Sequence, residues 1–295
     1  MGSLGPAGTS VPLNFRDLGA VCPGVRRGRL YRTGCPRDVA QVAPLAQLSL
    51  VDLRSPAEQA ADPEGLFNGE KFRCTSHPIA EPALQIGRNV GAEGARPGRD
   101  LHLVPLLDER SLYRSLFWRL RKRDRMRLLW NSAFDKAKAR RLGIQRMNQG
   151  GLPQLYEILL DSSAHQIGKA MQLLTLALEE GDGEGGAAFF CKWGKDRTGV
   201  LAMMVLLTLG ASREAVIEDY ALSDATAHFA LGDVKVEGLD LDVFSRAPPE
   251  AAAHLMDYLE RRYGGADKFL ASRKCGFTRE WQDRLRAQMA EPVTG

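Results

Sequence analysis

The 295-residue sequence predicts an α/β fold, a central and mostly parallel sheet flanked by helices, with a basic helical insertion. Two observations carry that prediction. Short apolar runs feed directly into helix starts: Ala187–Cys191 ahead of a helix pattern from Thr198, and Ser49–Leu53 ahead of one at Pro56. Strongly apolar helices accompany them. Ile167, Met171, Leu174 and Leu178 repeat along 164–180, and 200–209 is apolar on every side. No internal repeat or boundary interrupts the chain. One domain over 11–290 is expected, behind a loose Gly/Ser/Pro/Ala-rich tail at 1–10.

Taken in order, Val11–Gly19 and Arg29–Gly34 read as two short extended segments joined by a Pro/Gly turn. Ser49–Leu53 is a buried strand. Ser55 caps the helix after it, Pro56 suits the first helical position, and Glu58 completes a Ser-x-x-Glu capping box. Asp52 and Arg54 sit at the strand end, where they either brace a neighbouring loop or face a site. Residues 60–100 give little pattern. Leu101–Asp108 reads as a strand, with Asp108 shaping a pocket or capping the next helix. Helices follow at 112–120, 152–160 and 164–180, and Gly181–Gly186 reads as a flexible linker. Past the apolar helix, Gly210 is a stop and Ser212 a cap. Pro249 opens a helix ending at Gly264, and 277–289 is a last amphipathic helix.

Charge is unevenly placed. The net value is +4, yet residues 110–146 hold 13 Lys and Arg against only Asp124 and Asp135. That segment therefore carries +11, and the remainder −7. Leu112, Leu116 and Leu120 repeat on one helical face beside Tyr113 and Phe117. A basic amphipathic segment with aromatics suits peripheral membrane contact, or else a core-packed helix with a solvated basic face. No nucleic-acid motif accompanies the charge, so no nucleic-acid partner is expected. Five scattered cysteines without metal-type pairing suggest free thiols in a reducing compartment, with no metal and no cofactor. The start lacks a basic and an apolar leader region, Pro6 breaks the myristoylation pattern, and no stretch is apolar enough to span a bilayer. A cytoplasmic protein is the expectation.

The chemistry concentrates at Gly186–Val200. Cys191 ends an apolar run, five residues separate it from Arg197, and a helix pattern begins at Thr198. So short a strand-to-helix loop can turn the backbone N–H groups of 192 to 197 toward one point at the positive end of a helix dipole. That is an anion nest sized for phosphate. Arg197 can hold two phosphate oxygens with its planar fork, and Lys195 adds charge. The same field favours the thiolate of Cys191, the nucleophilic form. A cysteine after an apolar run is otherwise an inert core residue. The full string Cys191-Lys192-Trp193-Gly194-Lys195-Asp196-Arg197-Thr198-Gly199 changes that balance.

This string resembles the protein tyrosine phosphatase superfamily, and its Gly-Lys-Asp-Arg-Thr-Gly form looks like the atypical branch of tyrosine and phosphoinositide phosphatases. Asn14-Phe15-Arg16-Asp17-Leu18-Gly19, Tyr31-Arg32-Thr33-Gly34 and Asp219-Tyr220-x-x-Ser223-Asp224 are similar to further marks of that branch. The resemblance implies a two-step hydrolysis through a phosphocysteine on Cys191, with Arg197 on the phosphate and Thr198 donating a hydrogen bond to the sulfur. It implies Asp196 as general acid, ahead of Asp108 and Glu81, though Asp196 could also orient Arg197 or cap the helix. It implies that Arg16 or Asp17 buttresses the loop, the alternative being a surface ion pair. An inserted helical region can form a lid in this family, and 110–146 is the natural candidate.

Two departures stand out. Phe190 replaces the His that usually precedes the nucleophile, and Trp193 replaces a small residue, as a pocket wall, a stacking platform or an outward-packed ring. Lys192 and Lys195 occupy positions where tensin-type phosphoinositide phosphatases also place lysines, which favours a phosphoinositide over a phosphotyrosine protein. A binding module that holds phosphorylated ligands without turnover is the alternative class. A rhodanese-type sulfur transferase lacks this loop ending.

Overall fold

The computed structural model describes residues 12–62, 66–67, 72–77, 99–107, 109–226 and 237–291. The expected tail at 1–10, Glu81 and Asp108 lie outside these residues. Six strands form one sheet: β1 (Arg16–Asp17), β2 (Leu30–Gly34), β3 (Ser49–Asp52), β4 (Phe72–Ser76), β5 (Arg99–Leu103) and β6 (Ala187–Cys191). Their order is β1-β2-β6-β3-β5-β4. The β1–β2 pair is antiparallel and every other pair is parallel. The sheet is mixed but mostly parallel, as the strand-to-helix pattern predicts.

β6 is buried along its whole length, and its side chains alternate between two cores. Phe189 and Cys191 join Leu174, Leu178, Val200 and Met204 on one face. Ala188 and Phe190 join Val42, Leu45, Leu50 and Phe72 on the other. The register sets Gly34 of β2 beside Cys191, and Asp52 of β3 beside Phe190. Three strand ends therefore converge where the loop after Cys191 begins.

Twelve helices lie among the described residues: α1 (Val39–Val42), α2 (Pro56–Gln59), α3 (Glu109–Arg119), α4 (Lys122–Phe134), α5 (Lys136–Ser162), α6 (Ala164–Gly183), α7 (Asp196–Thr208), α8 (Arg213–Ala221), α9 (Leu241–Ser245), α10 (Pro249–Tyr263), α11 (Ala266–Ala271) and α12 (Arg279–Met289). The capping box at α2 forms with both of its hydrogen bonds. Ser212 caps α8, and Gly264 takes the left-handed conformation that ends α10. α7 is buried on every side, as its composition requires.

Two local expectations are corrected, and a third is met inside a longer helix. The strand expected over 101–108 is Arg99–Leu103. α6 runs on to Gly183, so the stretch from Gly181 is not all linker. Buried Arg29 donates to the carbonyls of Leu178 (2.5 Å) and Gly185 (2.9 and 2.7 Å), tying the last turns of α6 to the segment that follows them. The helix expected at 152–160 is the second half of α5. Gly151, at φ 57°, breaks α5 into two pieces, and Pro153 falls near the start of the second, where a missing N–H costs little.

The basic insertion is helical. α3 packs on α5 through Leu116, through Ser115 against Ser162 (2.6 Å), and through Arg119 with Glu157 (2.5 Å) and Asp161 (2.7 Å). Arg146 of α5 pairs with Asp124 of α4 at 2.7 Å. A groove of about 790 Å³ runs between these helices, lined by Tyr113, Leu116, Phe117, Leu128 and Leu129 among others. Trp118 and Trp130 remain 65% and 69% exposed.

Candidate active site

Cys191 ends β6, and only Lys192–Lys195 separate it from α7. What decides the chemistry of so short a loop is which way its peptide groups face. Cys35 N–H donates to the carbonyls of Cys191 (2.8 Å) and Lys192 (3.2 Å). Asn14 Nδ2 donates to those of Trp193 (3.3 Å) and Gly194 (2.8 Å), and Arg32 Nη2 adds a second bond to Gly194 at 2.8 Å. Four successive carbonyls are thus held from outside. In a planar trans peptide the N–H points opposite to the C=O. The amides of Lys192, Trp193, Gly194 and Lys195 are therefore turned to the inner side of the loop. Gly194 supplies the left-handed turn at φ 67°, and a Cβ there would lie 2.6–2.7 Å from the Thr33–Gly34 backbone. Only glycine fits.

At the far end no side chain caps α7, whose first-turn N–H groups extend the same nest. Arg197 lies in that turn. Its two terminal nitrogens donate to Glu58 at 2.6 and 2.7 Å, a bidentate clamp from α2. Glu58 also accepts from the Ser55 N–H and hydroxyl. Burial opposes the Glu58 charge, but Arg197 and Ser55 outweigh it and hold its carboxyl at about 2. Burial likewise opposes the Arg197 charge, and Glu58, Cys191 and Asp196 together raise its pKa.

The loop's backing is ionic. Arg16 donates to Asp219 (3.0 Å) and to Ser223 (3.1 Å), and fully buried Arg32 reaches the other Asp219 oxygen at 2.5 Å. Arg16 also holds the Asn14 side chain oxygen, aiming that amide at the loop. Burial and neighbouring Arg32 pull Arg16 down to about 10, which leaves it charged at neutral pH. Asp219 is kept low because Arg32 and Arg16 overcome its burial. Asp17 faces elsewhere, accepting from Gly19 N (2.9 Å) and Gly28 N (2.7 Å) in the turn after β1. Asp52 and Asp62 chelate Arg54 at 2.5–3.1 Å, fixing the turn that carries Glu58.

The remaining predicted residues take distinct positions. Lys195 Nζ donates to the carbonyls of Phe244 (2.6 Å) and Arg246 (2.9 Å) and lies 3.3 Å from Asp196. Three acceptors meet its three hydrogens, and it ties the loop to the 244–246 segment. Asp196 Oδ1 accepts from Tyr156 at 2.8 Å, while its side chain is 27% exposed. Thr198 Oγ1, in the first turn of α7, is buried without a hydrogen-bond partner among the described residues. Gly199 packs against Tyr220 and Arg32. Trp193 lies beneath both Arg37 and Lys192, 5.4 and 5.1 Å from its ring centre, beside a hollow of about 560 Å³ that Glu58 also lines. Phe190 stacks on Phe67 and under Arg54, on the sheet face opposite Cys191. Its position serves packing.

Sequence reasoning assigned Glu58 wholly to the capping box and gave Asn14, Arg32, Asp219, Ser223 and Tyr156 no individual role. The signal was present for most of them, in the three short strings around positions 14–19, 31–34 and 219–224.

Comparison with known proteins gives the chain a family. A protein of Cupriavidus necator named "Putative tyrosine-protein phosphatase" is 26% identical over 221 residues, covering 72% of this chain and 60% of that protein. The chain thus matches less than two thirds of that relative's length. A family model described as the tyrosine phosphatase family matches residues 9–291, which span the loop, its arginine backing and the Glu58 clamp alike. The chain belongs to the tyrosine phosphatase family.

Proposed function

We propose that this protein is a cysteine-dependent phosphatase that hydrolyses phosphate monoesters through a phosphocysteine on Cys191. The observation that carries the reading is the set of four loop carbonyls held from behind, which turns four amides to the inner side of the loop at the start of α7, where a phosphate would sit. In the first step the Cys191 thiolate attacks phosphorus in line. The bond to the leaving oxygen breaks, and Asp196 gives that oxygen a proton. Loop amides and Arg197 stabilise the equatorial oxygens. Arg197 arrives already oriented by Glu58, so little reorganisation is left for the transition state. Thr198 donates to the sulfur as it becomes the leaving group. Water then cleaves the S–P bond, with Asp196 taking its proton.

The substrate class we favour is a phosphoinositide, with phosphotyrosine protein second. Support comes from Lys192 at the loop edge and from the basic α3–α4 pair. Lys195, bonded to backbone carbonyls, supports it only through its charge. In this reading α3 and α4 make peripheral contact with an anionic bilayer. Tyr113, Trp118, Met126, Leu129 and Trp130, five of the seven exposed large hydrophobics among the described residues, lie there amid the arginines.

The test is phosphate release from phosphoinositides and phosphotyrosine peptides, comparing wild type with Cys191→Ser. Release from wild type and a loss on the order of 10⁴-fold in the variant are expected. Binding without release from any substrate would make the protein a phosphate sensor instead.

A further inference from the structure

Asp196 does not stand alone. Tyr156, on the second half of α5, donates its hydroxyl to Asp196 Oδ1 at 2.8 Å. Tyr220, on α8, lies 2.6 Å from the Tyr156 oxygen. Because the Tyr156 hydrogen is committed to the carboxylate, the hydrogen between the two phenols belongs to Tyr220. The bonds run in one direction, Tyr220 to Tyr156 to Asp196. Both rings are fully buried and meet edge-to-face at 5.9 Å, so neither phenol can swing away without repacking the core. Burial, and then the Asp196 charge, push both hydroxyls far above the ordinary tyrosine range. They stay donors at every working pH.

The second donor to Asp196, Lys195 Nζ at 3.3 Å, meets the same oxygen. Oδ1 thus takes both donors found among the described residues. A proton on this carboxyl is then favoured on Oδ2, since Oδ1 already accepts from two groups, and a proton there would have to reverse the Tyr156–Tyr220 chain and leave the Tyr220 hydroxyl hydrogen without its acceptor.

We infer that Tyr156, backed by Tyr220, is a positioning residue that reserves Asp196 Oδ1 and makes Oδ2 the oxygen that delivers and later recovers the proton. This rests on Asp196 being the general acid of the proposed phosphatase. A fixed donor on Oδ1 also stabilises the carboxylate left after transfer. Without it the carboxyl can rotate, and the proton occupies the wrong oxygen for part of the time.

The experiment compares two aryl phosphates on the full-length enzyme. Phenyl phosphate needs its leaving oxygen protonated, whereas para-nitrophenyl phosphate leaves with little help. Asp196→Asn is expected to lower kcat/KM, which reports only the phosphorylation step, by about 10²-fold or more on phenyl phosphate and far less on para-nitrophenyl phosphate. Tyr156→Phe keeps ring and packing, and should lower kcat/KM on phenyl phosphate by about tenfold while leaving kcat/KM on para-nitrophenyl phosphate nearly unchanged. Tyr220→Phe should show the same pattern more weakly, and Tyr156→Phe should add nothing in the Asp196→Asn background.

An equal fall in kcat/KM on both substrates with Tyr156→Phe would mark a purely structural role and overturn the inference. So would full activity of Tyr156→Phe on phenyl phosphate. If Asp196→Asn itself shows no leaving-group dependence, the acid assignment fails, and this inference with it. Cys191-dependent turnover would then still stand.

Discussion

Arginines do opposite work in two regions of this molecule. Behind the loop, Arg16 and Arg32 share Asp219, Arg54 is chelated by Asp52 and Asp62, and Arg197 is clamped by Glu58. Each of these guanidinium groups faces carboxylates in fixed geometry, with little water. On α3 and α4, Arg114, Arg121, Arg123 and Arg127 are exposed, interleaved with exposed Trp118, Met126 and Trp130. The first group is a scaffold, and its members cannot be exchanged singly. The second is a surface whose side chains contribute charge and area to whatever meets it. One residue type therefore has a high cost of removal in one place and a low one in the other, and burial sets the difference.

The sharpest way to break the comparison is Asp219→Ala. It leaves Arg16 and Arg32 without their shared counter-charge, and we expect a loss of about 3–5 kcal/mol in chemical denaturation. Gly194→Ala comes next. It forces a left-handed residue against the Thr33 carbonyl, at about 2–3 kcal/mol, with phosphate release falling further than stability alone explains. A variant as stable as wild type would show that the loop and β2 can separate.

Glu58→Gln should cost about 1–2 kcal/mol at neutral pH and weaken inorganic phosphate binding about tenfold, by releasing Arg197. Its pH dependence is specific. The Glu58 carboxyl is depressed from 4.5 to about 2, so its contribution is complete above pH 4.5 and is lost as pH falls toward 2. Thermal melts of wild type and variant should therefore converge over that window. A constant gap down to pH 2 would show that the clamp's charge contributes nothing.

The smallest expected effect on stability is that of Trp118→Ala with Trp130→Ala, within about 0.5 kcal/mol per site. The same pair should reduce co-sedimentation with vesicles containing phosphatidylserine severalfold. Loss of fold instead of loss of vesicle binding would place α3 and α4 with the scaffold.

Much of the fold was legible in the sequence, because local patterns carry it. The run ending at Cys191, the capping box at Ser55–Glu58, the buried helix after Thr198 and the caps at Ser212 and Gly264 are decided by neighbours within a few positions. The bracing of the end of α6 was not, because it comes from Arg29, 149 residues from Leu178.

What the sequence determined by itself was the loop: a strand ending at Cys191, a short polar turn, a helix pattern from Thr198, and a cysteine and arginine bracketing five residues. The structure starts that helix two residues earlier, at Asp196. Tertiary structure decided how that loop is held and who shares its work. Glu58 reaches Arg197 across 139 positions, Asn14 reaches Gly194 across 180, and Tyr156 reaches Asp196 across 40. A capping glutamate looks the same in sequence whether or not its second oxygen also holds an arginine. A tyrosine on an apolar helix looks like core until its hydroxyl finds a partner. Hydrogen-bond direction across such distances is set by how strands and helices pack, and a periodicity cannot express it.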